Sequence, residues 1–201
     1  MFKALLFGAA LAFFALPAAA AELGRVDFNG RIVVLSDDNT WAYAETSALD
    51  CGTATPVAST KIKIAACIDL DDWNAGQGSG DQEFVYFSKD GNVGFAYITE
   101  TAYAPIDAYH DAIIQYATQQ SGFAAGSVTP FEEGEQTING KTWNSMHYKV
   151  TVQGNELEFI NYFYSEPALG STQFVFWSLP AMTESAKALA EKVMSTVTIA
   201  D

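Results

Sequence analysis

Residues 140–180 read GKTWNSMHYKVTVQGNELEFINYFYSEPALGSTQFVFWSLP. Three β-rich runs fill this stretch, at about Thr142–Val152, Glu156–Tyr164 and Thr172–Leu179. The turn signals Gln153-Gly-Asn and Pro167-Ala-Leu-Gly170 separate them. Side chains of a strand alternate between its two faces. In the first run Met146, Tyr148, Val150 and Val152 share one face, while Trp143, Ser145, His147, Lys149 and Thr151 share the other. The next two runs are apolar on both faces: Leu157, Phe159 and Phe163 against Ile160, Tyr162 and Tyr164, then Val175 and Trp177 against Phe174 and Phe176. A sheet that is apolar on both sides needs cover on both sides. The expected class is therefore α+β, an antiparallel β-sheet sandwiched by helices, or by a helix and the N-terminal strands.

Two helices are available to provide that cover. Pro105 suits a first helical position and Asp107 a first turn. Ile106, Tyr109, Ile113, Tyr116 and Ala117 then recur at helical spacing, with Gly122 as a stop. The second helix is expected over 182–194, with Ala186, Leu189, Ala190, Val193 and Met194 on its inner side. Upstream, Glu83–Ser88 and Val93–Thr99 flank Lys-Asp-Gly-Asn, a hairpin turning at Asp90-Gly91. Lys61-Ile-Lys-Ile begins a strand running to about Ile68. Near the start of the chain, Arg25–Leu35 and Thr40–Ala44, with turns at Asn29-Gly30 and Ser36–Asn39, predict a small β-meander. Ala44–Thr60 reads as a connector.

The residues Ile106–Gln120, Gly140-Lys-Thr-Trp-Asn with His147-Tyr-Lys-Val, Asn161-Tyr-Phe-Tyr and Phe174-Val-Phe-Trp-Ser together resemble the PsbP-like and DcrB-like α/β/α sandwich over Phe84–Ile199. That resemblance implies a binding or accessory module rather than a catalyst. A second likeness covers about 15 residues: Gly30, Val33, Leu35, Asp38, Thr40-Trp41 and Tyr43 are similar to a hairpin of exported bacterial proteins with "DGTW" at its turn. Asn39 stands here in place of the glycine.

The N-terminus carries the layout of a secretory signal: Met1-Phe-Lys3, an apolar run over Ala4–Leu16, Pro17, and small residues up to Ala21. The run is shorter than the roughly 20 residues a membrane-spanning helix needs. The expected organisation is a signal peptide over 1–21, a β-meander and disulfide-linked connector over 22–82, and a sandwich domain over 83–201. The expected location is the periplasm, and the chain is not expected to span a membrane. Formal net charge is −14, and without Lys3 the balance is 9 basic to 24 acidic side chains. Such a surface repels nucleic acid and anionic membranes. Cys51 and Cys67, the two cysteines, read as a structural disulfide in an exported chain.

Chemistry has few places to reside. The stretch Asp69–Glu83, DLDDWNAGQGSGDQE, offers Asp69, Asp71, Asp72, Asp81 and Glu83 to a calcium ion. Gln77 stands where an EF-hand loop requires glycine, and the strand after the loop argues against a phosphate cradle. A solvated acidic connector, a boundary before the sandwich, is the competing reading. His110 sits on the first helix beside Asp107 and Asp111, while His147 lies on a strand face with Trp143 and Lys149. Glu156 and Glu158 share a strand face, the one feature suggesting paired glycosidase carboxylates. No Gly-x-Ser-x-Gly elbow is present. A ligand groove is expected among Tyr86, Tyr97, Trp143, His147, Tyr162, Tyr164 and Trp177, set against ordinary core packing of the same aromatics.

These features lead to the expectation of a soluble, non-catalytic accessory or binding protein that takes a small ligand or an envelope partner and has no cofactor. The alternatives are a hydrolase with a histidine-containing site and a calcium-stabilised module.

Overall fold

A computed structural model of the chain describes residues 21–28, 31–43, 49–120, 128–152 and 154–200. The signal segment over 1–20, the Asn29-Gly30 turn, residues 44–48 of the connector and the Gly122 stop lie outside the described residues.

Three strands form the N-terminal sheet: β1 (Glu22–Phe28), β2 (Arg31–Ser36) and β3 (Trp41–Tyr43), paired antiparallel in that order. Asn39 takes φ +63°, the left-handed conformation that glycine adopts without strain. Asparagine tolerates it better than most residues do, which explains the exchange.

The main sheet has seven antiparallel strands. They are β6 (Trp73–Ala75), β7 (Gln82–Ser88), β8 (Val93–Glu100), β9 (Glu132–Ile138), β10 (Lys141–Val152), β11 (Asn155–Glu166) and β12 (Gly170–Ser178), in the order β6-β7-β8-β12-β11-β10-β9. A smaller sheet joins β4 (Thr55–Ala58), β5 (Ile64–Ile68) and the C-terminal β13 (Thr198–Ile199) in the order β13-β5-β4. The helices are α1 (Ile106–Gln120) and α2 (Thr183–Met194), the latter entered through a 3₁₀ turn over Pro180–Met182. No described helix is long and apolar enough to cross a membrane.

The alternation of β11 divides the core in two. Ile160 and Tyr162 join one cluster with Trp143, Phe95, Phe174 and Phe176, to which α2 adds Ala186, Ala190, Val193 and Met194. Phe163 joins another with Met146, Tyr148 and Val150, to which α1 adds Tyr109, Ile113 and Ala117. The inner residues expected of α2 thus pack as expected, except that Leu189 is only partly buried.

Two expectations are corrected. Trp73, inside the supposed acidic connector, is 2% exposed and packs against Phe95 and Phe176 at ring distances of 5.7 and 6.3 Å. Its strand β6 belongs to the main sheet, so the stretch is an anchored edge rather than a boundary. The supposed connector over Ala44–Thr60 likewise holds β4, which pairs with β5, the strand expected from Lys61 to about Ile68, and β5 in turn pairs with β13 from the far end of the chain. A Cys51–Cys67 disulfide ties this region together, and Thr196 Oγ1 accepts a hydrogen bond from the Cys67 amide at 2.9 Å.

Candidate functional site

β9 and β10 are joined by Asn139-Gly140, with φ +47° and +81°. Positive φ at both positions is the signature of a two-residue type I′ turn. The Asn139 amide also donates to the Val197 carbonyl at 2.7 Å, fastening the turn to the C-terminal segment. This turn places the acidic strand β9 beside β10 and opposite the N-terminal half of α1, and a groove of about 570 Å³ opens between them. Its floor is Ile106 and Phe163, its walls Asp107, His110 and Asp111 from α1, Glu133, Gly134 and Glu135 from β9, and Asn144 and Ser145 from β10.

His110 spans the groove. Its Nε2 lies 2.8 Å from Glu133 Oε1 and its Nδ1 3.1 Å from Asp111 Oδ1. Partial burial pulls the imidazole toward neutrality, but the hydrogen bonds and charges of Asp111 and Glu133 outweigh it, so His110 titrates above its ordinary value. No side-chain hydrogen bond or ion pair among the described residues involves Asp107 or Glu135. A second groove of about 390 Å³ lies on the other side of β9, between Gln136–Asn139 and Glu191, Met194 and Ser195 near the end of α2.

His147 occupies a different environment. It is buried on β10, with Glu132 Oε2 3.1 Å from Nδ1 but not aligned as a hydrogen bond. Phe131 meets its ring edge-on at 6.2 Å. Burial is the main cause that pushes its titration below the ordinary value; nearby Lys187 adds to this, and Glu132 and Glu158 oppose it.

The expected aromatic groove does not assemble. Tyr86, Tyr97, Trp143 and Tyr162 are buried in the larger core cluster and Tyr164 packs against it. Trp177 lies on the opposite side of β12 from Phe174 and Phe176, over Gly94, and none of the seven residues lines either groove. Two-sided burial of the sheet turned these aromatics into core. The carboxylates proposed for calcium also disperse. Glu83 is held by Ser59 Oγ at 2.7 Å, by the Thr60 amide and hydroxyl, and by the Thr99 hydroxyl. Asp72 pairs with Lys192 Nζ at 2.9 Å, and Asp69 caps its own turn by accepting from the Asp71 amide. Asp71 and Asp81 are exposed. Among the described residues no group of three or more His, Cys, Asp or Glu side chains is placed to hold a metal. Glu156 is drawn to Lys149 Nζ at 3.0 Å, while Glu158 is buried, so the two do not flank a cleft.

Sequence reading placed His110, Asp107 and Asp111 on one helix and missed Glu133, Glu135 and Phe163 as their neighbours. The signal was present: a turn at Asn139-Gly140 demands a strand before it as well as after it.

No family model matches the chain, and no curated protein matches it. Solved structures do. The solution structure of cyanobacterial PsbP (CyanoP) from Synechocystis sp. PCC 6803 is 11% identical, with a TM-score of 0.57 over 74% of this chain and 93% of that one. A crystal structure from Pseudomonas aeruginosa is 12% identical, with a TM-score of 0.47 over 88% of this chain and 96% of that one. The likeness to cyanobacterial PsbP extends past the Phe84–Ile199 span that carries the sequence resemblance, in keeping with a sheet that begins at Trp73. The mostly antiparallel sheets and two helices described for this chain make an α+β fold that resembles PsbP.

Proposed function

We propose that this chain is an exported, non-catalytic accessory protein of the periplasm that binds a positively charged small ligand, or a basic segment of an envelope partner, in the α1–β9 groove. In this reading residues 1–21 are a signal peptide, and α1 and α2 cover opposite faces of the main sheet as an α/β/α sandwich. One observation carries the proposal: four carboxylates, Asp107, Asp111, Glu133 and Glu135, surround an apolar floor of Ile106 and Phe163 in an open groove. A cation entering it replaces its hydration with charge-assisted hydrogen bonds while its apolar part covers the half-buried Ile106.

Among the described residues, no nucleophile is in contact with a histidine base to support the hydrolase alternative. Both ring nitrogens of His110 face carboxylates, and no hydroxyl among the described residues bonds to either histidine. Nucleophilic catalysis rests on such a pair. The Cys51–Cys67 disulfide is compatible with an oxidising compartment.

Isothermal titration with spermidine, a small polycation, tests the groove. Wild-type protein binds it, and the Asp107→Asn/Asp111→Asn double variant binds about tenfold or more weakly, each lost charge-assisted contact contributing. Equal heats from the two proteins would sink the proposal. Native mass spectrometry of protein purified from its own periplasm then identifies the natural ligand or partner.

A further inference from the structure

β9 ends the seven-stranded sheet, and all of its residues but Ile138 are exposed. The two-residue turn at Asn139-Gly140 makes Ile138 and Lys141 the first hydrogen-bonded pair of the hairpin. Alternate residues Gln136, Gly134 and Glu132 therefore face β10, and Glu133, Glu135 and Thr137 turn their N–H and C=O groups outward. No described residue supplies backbone partners to that outer row. The edge holds no proline, which makes it a template for another strand.

A groove lies on each side of this edge, one toward α1 and one toward α2. An added strand projects its side chains alternately to the two sides, so successive residues would enter the two grooves in turn. The charges on both sides select its chemistry. Glu133 and Glu135 line the first groove with Asp107 and Asp111, and Glu191 lines the second. A second copy of this chain pairing edge to edge would instead bring Glu133 and Glu135 against their own counterparts, and like charges across strands are destabilising.

We propose that the outer edge of β9 docks an extended basic peptide segment, which joins the main sheet as an added strand and places its lysines or arginines in the flanking grooves. This deepens the binding reading above by naming the partner class and the backbone that holds it, and it rests on that reading only for the sign of the charge.

The test is fluorescence anisotropy of a labelled nonapeptide repeating Lys-Lys-Val, which presents lysines on both sides of an added strand, mixed with the full chain at low salt. The same peptide with alternate backbone amides N-methylated keeps every charge and loses the strand hydrogen bonds. Its binding is expected to be about tenfold weaker. Thr137→Pro removes one outward N–H and no charge, at an edge position where proline is tolerated, and is expected to weaken the parent peptide similarly. Equal binding of the parent and N-methylated peptides would overturn the inference, and this arm uses unaltered protein. If both peptides bind equally and Asp111→Asn weakens both, the groove reading stands and the strand-addition reading falls. A dimer of the free protein in light scattering, abolished by Thr137→Pro, would also overturn it by assigning the edge to self-pairing.

Discussion

His110 Nε2 meets Glu133 Oε1 at 2.8 Å, and this contact ties the first helix to the edge strand of the main sheet. The two residues are 23 positions apart and share no local pattern. With Asp111 on the other ring nitrogen, the pair fixes the ring across the mouth of the acidic groove.

The contact makes part of the stability dependent on pH. The folded titration point of His110 lies above the ordinary value of 6.5. A raised folded value means that the stabilisation is fully present below the unfolded value and is lost as pH rises through the folded one. Melting curves across neutral to mildly alkaline pH should show this loss in wild type and a flatter profile in Glu133→Gln. The pair is partly exposed, so the difference should be about 0.5 kcal/mol or less. A histidine NMR titration that leaves His110 unmoved by Glu133→Gln would contradict the assignment.

His147 predicts the opposite slope. Burial holds its folded titration point below 6.5, with Lys187 adding to the effect against Glu132 and Glu158. Stability from the neutral ring is present above the unfolded value and is lost as pH falls through the folded one. His147→Gln should therefore reduce acid sensitivity below about pH 6 while costing roughly 1 to 2 kcal/mol at neutral pH from lost packing. Unfolding by urea at two pH values separates the two effects, and an unchanged acid slope would remove His147 as the cause.

The acidic stretch before β7 makes a third case. Trp73 is its structural anchor, while Asp69, Asp72 and Glu83 are each engaged by other partners. Trp73→Ala should destabilise by about 3 to 5 kcal/mol, as large-to-small changes in cores do. Asp72→Asn, which breaks one exposed ion pair with Lys192, should change stability by less than about 1 kcal/mol. A chelator should leave the thermal midpoint of wild type where it was. A downward shift on chelation would restore the calcium reading.

Much of the fold was legible because it is written in short-range pattern. The alternation in β10, β11 and β12, the helical spacing in α1 and α2, and the hairpin at Asp90-Gly91 all appear where the residues predict them. β9 was not legible, because Glu-Glu-Gly-Glu-Gln-Thr-Ile exposes both faces at a sheet edge and so carries no apolar alternation. β6 is three residues long and is held by one tryptophan, too short for any period to emerge. The candidate site was half legible for the same reason: its α1 wall lay on a recognised helix and its β9 wall on an unrecognised strand. The aromatic residues misled as ligand-groove markers because a strand preference for aromatics does not say which face is covered.

Gly94 and Trp177 supply the last prediction. They are direct neighbours across β8 and β12, and the indole covers the space where a side chain at position 94 would stand. A Cβ at Gly94 would come within 2.0 Å of Trp177 Cε2, closer than any real contact. The ring has little room to retreat, since Phe159 stacks near it at 6.4 Å and Phe87 meets it edge-on at 6.1 Å. Gly94→Ala should therefore cost about 2 to 3 kcal/mol, in the range seen when extra volume is forced into a packed site. The conformational freedom of glycine is not the cause, because β8 is ordinary extended strand there. Trp177→Leu should consequently recover much of the loss in the Gly94→Ala background, while destabilising the protein on its own. The coupling energy from chemical denaturation of all four proteins decides the matter. Strict additivity of the two substitutions would show that the steric relationship is not what constrains position 94.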